Sequence, residues 1–146
     1  MIGQGVVASQ IPIPLVEEAA RHSGCIEPKN LDSFSIDMKL VKRDWQTLVS
    51  ARWQSNDEHI NQLELRSVST AIRRVLSNPL SIRRRLLLLC DSQVAVAALA
   101  KGRSSSHRLL CRLRPLSALI LSSGIQLFLR WIPSLFNPAD GPSRSC

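Results

Sequence analysis

Residues 85–90 read RLLLLC and run straight into Asp91. The run is too short for a helix and too apolar for a solvent-facing edge, so it predicts a buried central strand with cover on both faces. The flanking sequence supplies that cover. Across residues 62–77, Leu65, Val68, Ala71, Ile72, Val75 and Leu76 recur at helical spacing and predict an amphipathic helix. Asn61 stands at its expected N-cap with Glu64 three residues on, and Asn78 and Pro79 end it. Residues 92–100 predict a short helix stopped by Gly102. A second helix over 107–123 turns Leu109, Leu110, Leu113, Leu116, Leu119 and Ile120 inward and closes at Gly124; Pro115 inside it predicts a kink or a break. Residues 125–131 predict another strand, ended by Pro133. Strand, helices, strand implies a right-handed crossover and parallel neighbours, hence an α/β fold.

The first third is less regular. Residues 2–11 read as a tight glycine turn, with Gly3 and Gly5, running into a short strand. Leu15 to His22 suits a short helix, and Gly24 to Ser35 a polar loop. Residues 47–53 alternate, with Thr47, Val49, Ala51 and Trp53 on one face, and predict a strand. One domain spanning 1–146 is expected, poorly defined over 1–46 and recognisable over 47–146.

Charge divides the chain sharply. Residues 1–64 hold six Lys/Arg against nine Asp/Glu, and residues 65–146 hold thirteen against two. Fifteen of the nineteen cations are Arg, whose planar fork suits phosphate, so a polyanion is the expected partner, nucleic acid ahead of membrane. The longest uncharged apolar stretch, Leu116 to Leu129, is 14 residues with Gly124, Gln126 and three serines inside it, short of the ~20 a membrane span needs. With no basic leader and with Pro12 and Pro14 near the start, an intracellular protein of the cytoplasm or nucleus is expected. Cys25, Cys90, Cys111 and Cys146 show neither paired spacing nor a partner His at zinc-finger distance; Cys90 and Cys111 read as buried small hydrophobes.

The carboxylates of the basic half and its boundary are the candidate chemistry. Taken singly each has a plain structural role: Asp91 capping the helix that follows it, Glu64 completing a capping box, Asp140 shaping a turn among Asn137, Pro138, Gly141 and Pro142. His59 reads as structural, and Trp53 and Trp131 as core. The segment KGRSSSHR mixes cations with hydroxyls after a helix end, which makes Lys101, Arg103, Ser104, Ser105 and Arg108 candidate phosphate contacts; a solvated polar loop accounts for them equally. Arg73 and Arg74, and the run Arg83 to Arg85, read as solvated faces.

Three segments, SARWQSNDEHINQLELRSV, LLLLCDSQVAVAALAKGRSSS and LFLRWIPSLFNPADGPSR, together resemble the ribonuclease H-like domain that follows the reverse transcriptase in retroelement polyproteins. The closing motif is similar to W-I/V-P-x-x-x-N-x-A-D-x-x-S-R, and CDSQ at 90–93 resembles the T-D-S-Q stretch of cellular members. The resemblance implies an α/β fold with a ribonuclease H-like mixed sheet flanked by helices, and that Glu64, Asp91 and Asp140 are catalytic residues and ligands of Mg²⁺ or Mn²⁺ in a two-metal site. Hard cations take carboxylate oxygens, and a metal pair activates water and steadies the leaving oxygen. The family's first carboxylate lies in a first strand ahead of a glycine turn like Gly3 to Gly5, so the chain is expected to lack that strand, and to lack the family's C-terminal helix. The closing-loop His of cellular members is also absent, Trp131, Ile132 and Pro133 standing there.

The expected function is therefore metal-dependent hydrolysis of RNA in RNA–DNA hybrids, by a domain incomplete at both ends and associated with the polymerase portion of the same polyprotein. The alternatives are a non-catalytic nucleic-acid-binding remnant and an unstable fragment of a longer reading frame.

Overall fold

A computed structural model describes residues 3–24, 38–54 and 57–145. It is an α/β structure with two small sheets. Strand β1 (Gly3–Ala8) pairs antiparallel with β2 (Gln46–Arg52), and β3 (Arg85–Cys90) pairs parallel with β4 (Gln126–Trp131). Between them in sequence come α1 (Ile13–Ala20), α2 (Ile60–Leu76), α3 (Gln93–Lys101) and α4 (His107–Ser123), and α5 (Asp140–Arg144) follows β4. Residues 38–41 are also helical.

The expected parallel strands are in place, with Arg85 opposite Gln126 and Cys90 opposite Trp131. Even-numbered residues of β3 pair with β4: Gln126 N–H donates to Arg84 C=O over 2.9 Å at one end and Ile132 N–H to Cys90 C=O over 3.0 Å at the other. The backbone groups of Arg85, Leu87 and Leu89 consequently face the opposite edge. On β4 the outer edge is partly closed, since Leu129 N–H donates to Ser23 Oγ and its carbonyl accepts from Gly24 N–H.

Both faces of β3 pack on apolar side chains, although Leu86–Cys90 are half-buried and Arg85 exposed where a buried strand was expected. On one side Leu86, Leu88 and Cys90 pack on a core of Leu65, Val68 and Ile72 from α2 and Leu109, Leu113 and Leu116 from α4. On the other, Leu87 and Leu89 pack with Ala19 and Leu40. Ile72 is fully buried, and burying such a side chain is worth about 1.5–3 kcal/mol. Among the described residues β3 pairs with β4 alone, so there it stands at a sheet edge where a central strand was expected, and its other edge borders a cleft.

Several boundaries move for local physical reasons. Helix α1 begins at Ile13, two residues early, because Pro14 is tolerated in a first turn where its missing N–H has no partner to lose. Helix α2 begins at Ile60, capped by His59, whose Nδ1 accepts from Asn61 N–H over 3.2 Å, so Asn61 is not the cap. Helix α4 runs unbroken through Pro115 instead of dividing there. Helices α3 and α4 end at Gly102 and Gly124, both left-handed at φ 64° and 65°. Cys111 is exposed on α4, with Sγ 3.4 Å from His107 Nε2, contrary to its expected burial. The loop read over Gly24 to Ser35 lies almost wholly outside the described residues, as do Cys25 and Cys146.

Candidate functional site

A cleft of about 1010 Å³ separates the two sheets. Its walls are β1, every residue of which borders it, and β3 with Asp91. Helix α2 forms its floor through Val68, Ala71, Ile72 and Val75, and Val16 and Leu40 lie across from them. Glu64, Asp91 and Asp140, read from three separated segments of sequence, all border this one cleft.

Each carboxylate reaches it by a different device. Glu64 stands a full turn into α2, between buried Leu63 and Leu65, and is half-buried. With His59 as the cap, Glu64 is too far along the helix to complete a capping box, and that reading of it falls. Asp91 follows the last residue of β3, and the cap of α3 is its neighbour: Ser92 Oγ accepts from Ala95 N–H over 3.1 Å. The capping role considered for Asp91 therefore belongs to Ser92. Asp140 opens α5, its N–H donating to Asn137 C=O over 3.1 Å and its Oδ1 accepting from Arg144 Nε over 3.1 Å.

The NPAD segment is seated directly on β1. A Cβ on Gly5 would collide with the carbonyl oxygen of Ala139 and stand 2.9 Å from Ser143 N, so only glycine permits this approach. Ser50 on β2 adds a hydroxyl donated to Pro142 C=O. Asn137 Oδ1 accepts from Ala139 N–H over 3.0 Å and fixes the turn ahead of Asp140.

Electrostatics register the crowding of charge at this end of β3. Burial pushes the Cys90 thiol up to about 12; a backbone hydrogen bond at Ser92 pulls the other way, and the charges of Asp91 and Glu64 add to the rise. Both carboxylates thus act on one thiol, that of half-buried Cys90. Among the described residues, however, no three His, Cys, Asp or Glu side chains form a group that could hold a metal ion. Glu64, Asp91 and Asp140 all border the cleft, and among the described residues they do not form such a group.

The candidate phosphate contacts lie elsewhere. Lys101 ends α3, and Arg103, Ser104 and Ser105 form the link to α4, whose first turn carries Arg108. All but half-buried Ser104 are exposed. Ser104 Oγ accepts from Ser106 N–H, and Ser106 Oγ in turn caps α4. Arg108 borders a second cavity of about 280 Å³ with His59 and Ser106, where the N-termini of α2 and α4 meet. The structure does not bring these residues to the carboxylate cleft.

Sequence reasoning missed Arg130, which is 2 % exposed on β4 with Nη1 donating to Ala19 C=O over 3.3 Å. Its position after three apolar residues in a strand was the available signal. It also missed Arg66, which lies 5.1 Å over the Trp53 ring and pairs with Glu58, itself paired to Arg112 on α4. No helix among the described residues is long and apolar enough to cross a membrane. No protein-family model, no curated protein and no solved structure matches this chain.

Proposed function

We propose that this chain is a ribonuclease H-like domain of a retroelement polymerase, its parent activity the metal-dependent hydrolysis of RNA in RNA–DNA hybrids. One observation carries the reading: Glu64, Asp91 and Asp140, the three residues matched by motif, border a single cleft although 27 and 49 positions separate them in turn. The loss of the capping explanation for both Glu64 and Asp91 leaves each without a competing structural role in its helix. The Arg-rich second half suits a polyanionic substrate, and hybrids are distinguished mainly by groove shape and 2′-hydroxyls.

The second reading is a nucleic-acid-binding domain without turnover, which the Arg-rich second half suits without a metal site. The fourth carboxylate that the resemblance calls for belongs to a first strand, and the cleft beside β1 and β3 is where the proposal places it. End-labelled hybrid is incubated with Mg²⁺ or Mn²⁺ and the chain, with and without an N-terminal extension supplying a D-x-[ST] strand. Cleavage that appears with the extension and disappears in Asp91→Asn supports the nuclease. Binding without cleavage in every form supports the second reading, and neither binding nor cleavage removes both.

A further inference from the structure

The parallel strands β3 and β4 begin at one end of the structure, and α2 and α4, which precede them in sequence, end there. Asp91 follows the opposite end of β3. At the first end a 3-10 turn, Pro79–Ser81, joins α2 to β3. It is held by its own hydrogen bonds. Asn78 Oδ1 accepts from Leu80 N–H over 3.0 Å, Ser81 N–H donates to Asn78 C=O over 2.9 Å, and Arg84 Nε donates to Leu80 C=O over 3.3 Å. Arg83 N–H donates to Ser123 C=O over 3.1 Å, which fastens the turn to the end of α4. Arg83 sits in the left-handed region at φ 60°, a conformation that a long side chain adopts at a cost.

This fixed turn presents apolar side chains to solvent rather than to the core. Leu80 is 74 % exposed and Ile82 47 %, and Leu121, in the last turn of α4, is 81 % exposed. A single exposed aliphatic side chain is ordinary, but three on two bonded elements at one end are not. Cations stand among them. Arg73 and Arg74 in the last turn of α2, and Arg83 and Arg84 beyond the 3-10 turn, are all exposed. No Asp or Glu occurs between Leu65 and Cys90. Glu17, which reaches the start of β3 from α1, is paired with Arg85 over 2.8 Å.

A partner for this end has to offer anionic groups beside an apolar medium. A nucleic-acid backbone meets the first requirement, and charge alone ranks it ahead of a membrane, but it gives the exposed aliphatic side chains nothing to enter. A bilayer of anionic lipid meets both, its phosphates lying just above the acyl chains. Neither the large cleft nor the smaller cavity is bordered by Leu80, Ile82 or Leu121, so these side chains stand on a protruding tip rather than in a groove. What covers such a tip has to yield around it, as acyl chains do. We propose that this end of the chain docks on anionic membrane surfaces. Leu80 and Ile82 enter the boundary between headgroups and acyl chains, and Arg73, Arg74, Arg83 and Arg84 hold lipid phosphates, their long stems letting the charge stay at headgroup level. Asp91, at the far end of β3, then lies away from the bilayer, and the docking surface is separate from the carboxylate cleft.

The whole chain is sedimented with sucrose-loaded vesicles of phosphatidylcholine, alone or with about a third phosphatidylserine, in EDTA at physiological salt. Binding to the anionic vesicles and none to the neutral ones is expected. Arg73→Gln with Arg74→Gln is expected to weaken it about thirtyfold, since each cation near such a surface contributes about fivefold. Leu80→Ser with Ile82→Ser is expected to weaken it about tenfold or more while the circular dichroism and urea midpoint stay those of the parent. In Leu80→Trp the added indole emission, taken as the difference from the parent, is expected to be quenched by lipids brominated along the acyl chains. No binding to anionic vesicles overturns the proposal. So does full binding by the Leu80→Ser, Ile82→Ser variant, or an unquenched Leu80→Trp, since either means adhesion by charge alone. Loss of hybrid affinity in the serine variant, with no vesicle binding by the parent, would give the tip to nucleic acid; loss of a parent dimer would give it to a second copy. A chain that binds vesicles and never cleaves hybrid keeps this proposal and loses the nuclease; cleavage by a chain that binds no vesicle does the reverse.

Discussion

The indole Nε1–H of Trp131 donates to the backbone carbonyl of Asp91 over 3.0 Å, tying the last residue of β4 to the residue that leaves β3. The bond holds the C-terminal ends of the parallel pair together at the place where Asp91 enters the cleft. Trp131→Phe keeps an aromatic ring and removes the donor. A loss of about 1 kcal/mol is expected in urea denaturation followed by circular dichroism.

The cap of α2 separates two readings of one stretch of sequence. His59→Ala removes the side chain that accepts from Asn61 N–H and is expected to cost about 1 kcal/mol, whereas His59→Ser, which restores a capping oxygen, recovers most of it. Asn61→Ala is expected to stay within about 0.5 kcal/mol of the parent. Equal losses at the two positions would return the cap to Asn61.

Gly5 is the seat of the NPAD segment. In Gly5→Ala the added methyl meets the backbone of Ala139, which cannot swing aside as a flexible side chain would. A destabilisation of about 1–3 kcal/mol is expected, with faster amide exchange across 139–143 as the segment lifts from β1.

Burial holds the Cys90 thiol protonated up to about 12, against 9.0 for an unperturbed thiol. A raised folded pKa gives stability that is fully present below the unfolded value and is lost as pH rises through the folded one. Thermal stability should therefore decline between about pH 9 and 12, and Cys90→Ala should flatten that decline after its own cavity cost at neutral pH is subtracted. The chain has no tyrosine, so thiolate absorbance in the far ultraviolet can be followed over the same range without phenolate interference.

The strands and helices of residues 57–145 were legible because the signals were local and redundant. RLLLLC could be only a covered strand, and Gly102 and Gly124 marked helix ends that a left-handed residue closes. The cap at His59 was missed because Asn is the commoner capping residue and the imidazole does the same work two positions earlier. Pro115 was over-read: neighbouring Leu113 and Leu116 are buried against α2, and that packing carries the helix past the missing hydrogen bond. The motif residues Glu64, Asp91 and Asp140 could be named from sequence, but the cleft they border could not. It depends on which strand edges are left unpaired, a property of the whole topology that no single segment encodes.

Both functional readings require that the Arg-rich half engage a nucleic-acid backbone, and the salt dependence of hybrid affinity tests that requirement most directly. The affinity of the chain for a fluorescent RNA–DNA hybrid is measured from low to physiological salt, beside a variant carrying Lys101→Ala, Arg103→Ala and Arg108→Ala. Log affinity is expected to fall linearly with log salt, and the variant's slope to be shallower by about 0.9 for each phosphate that the three side chains no longer neutralise, about 2–3 in all. An affinity indifferent to ionic strength would contradict the account, and so would a variant with the parent's slope and affinity.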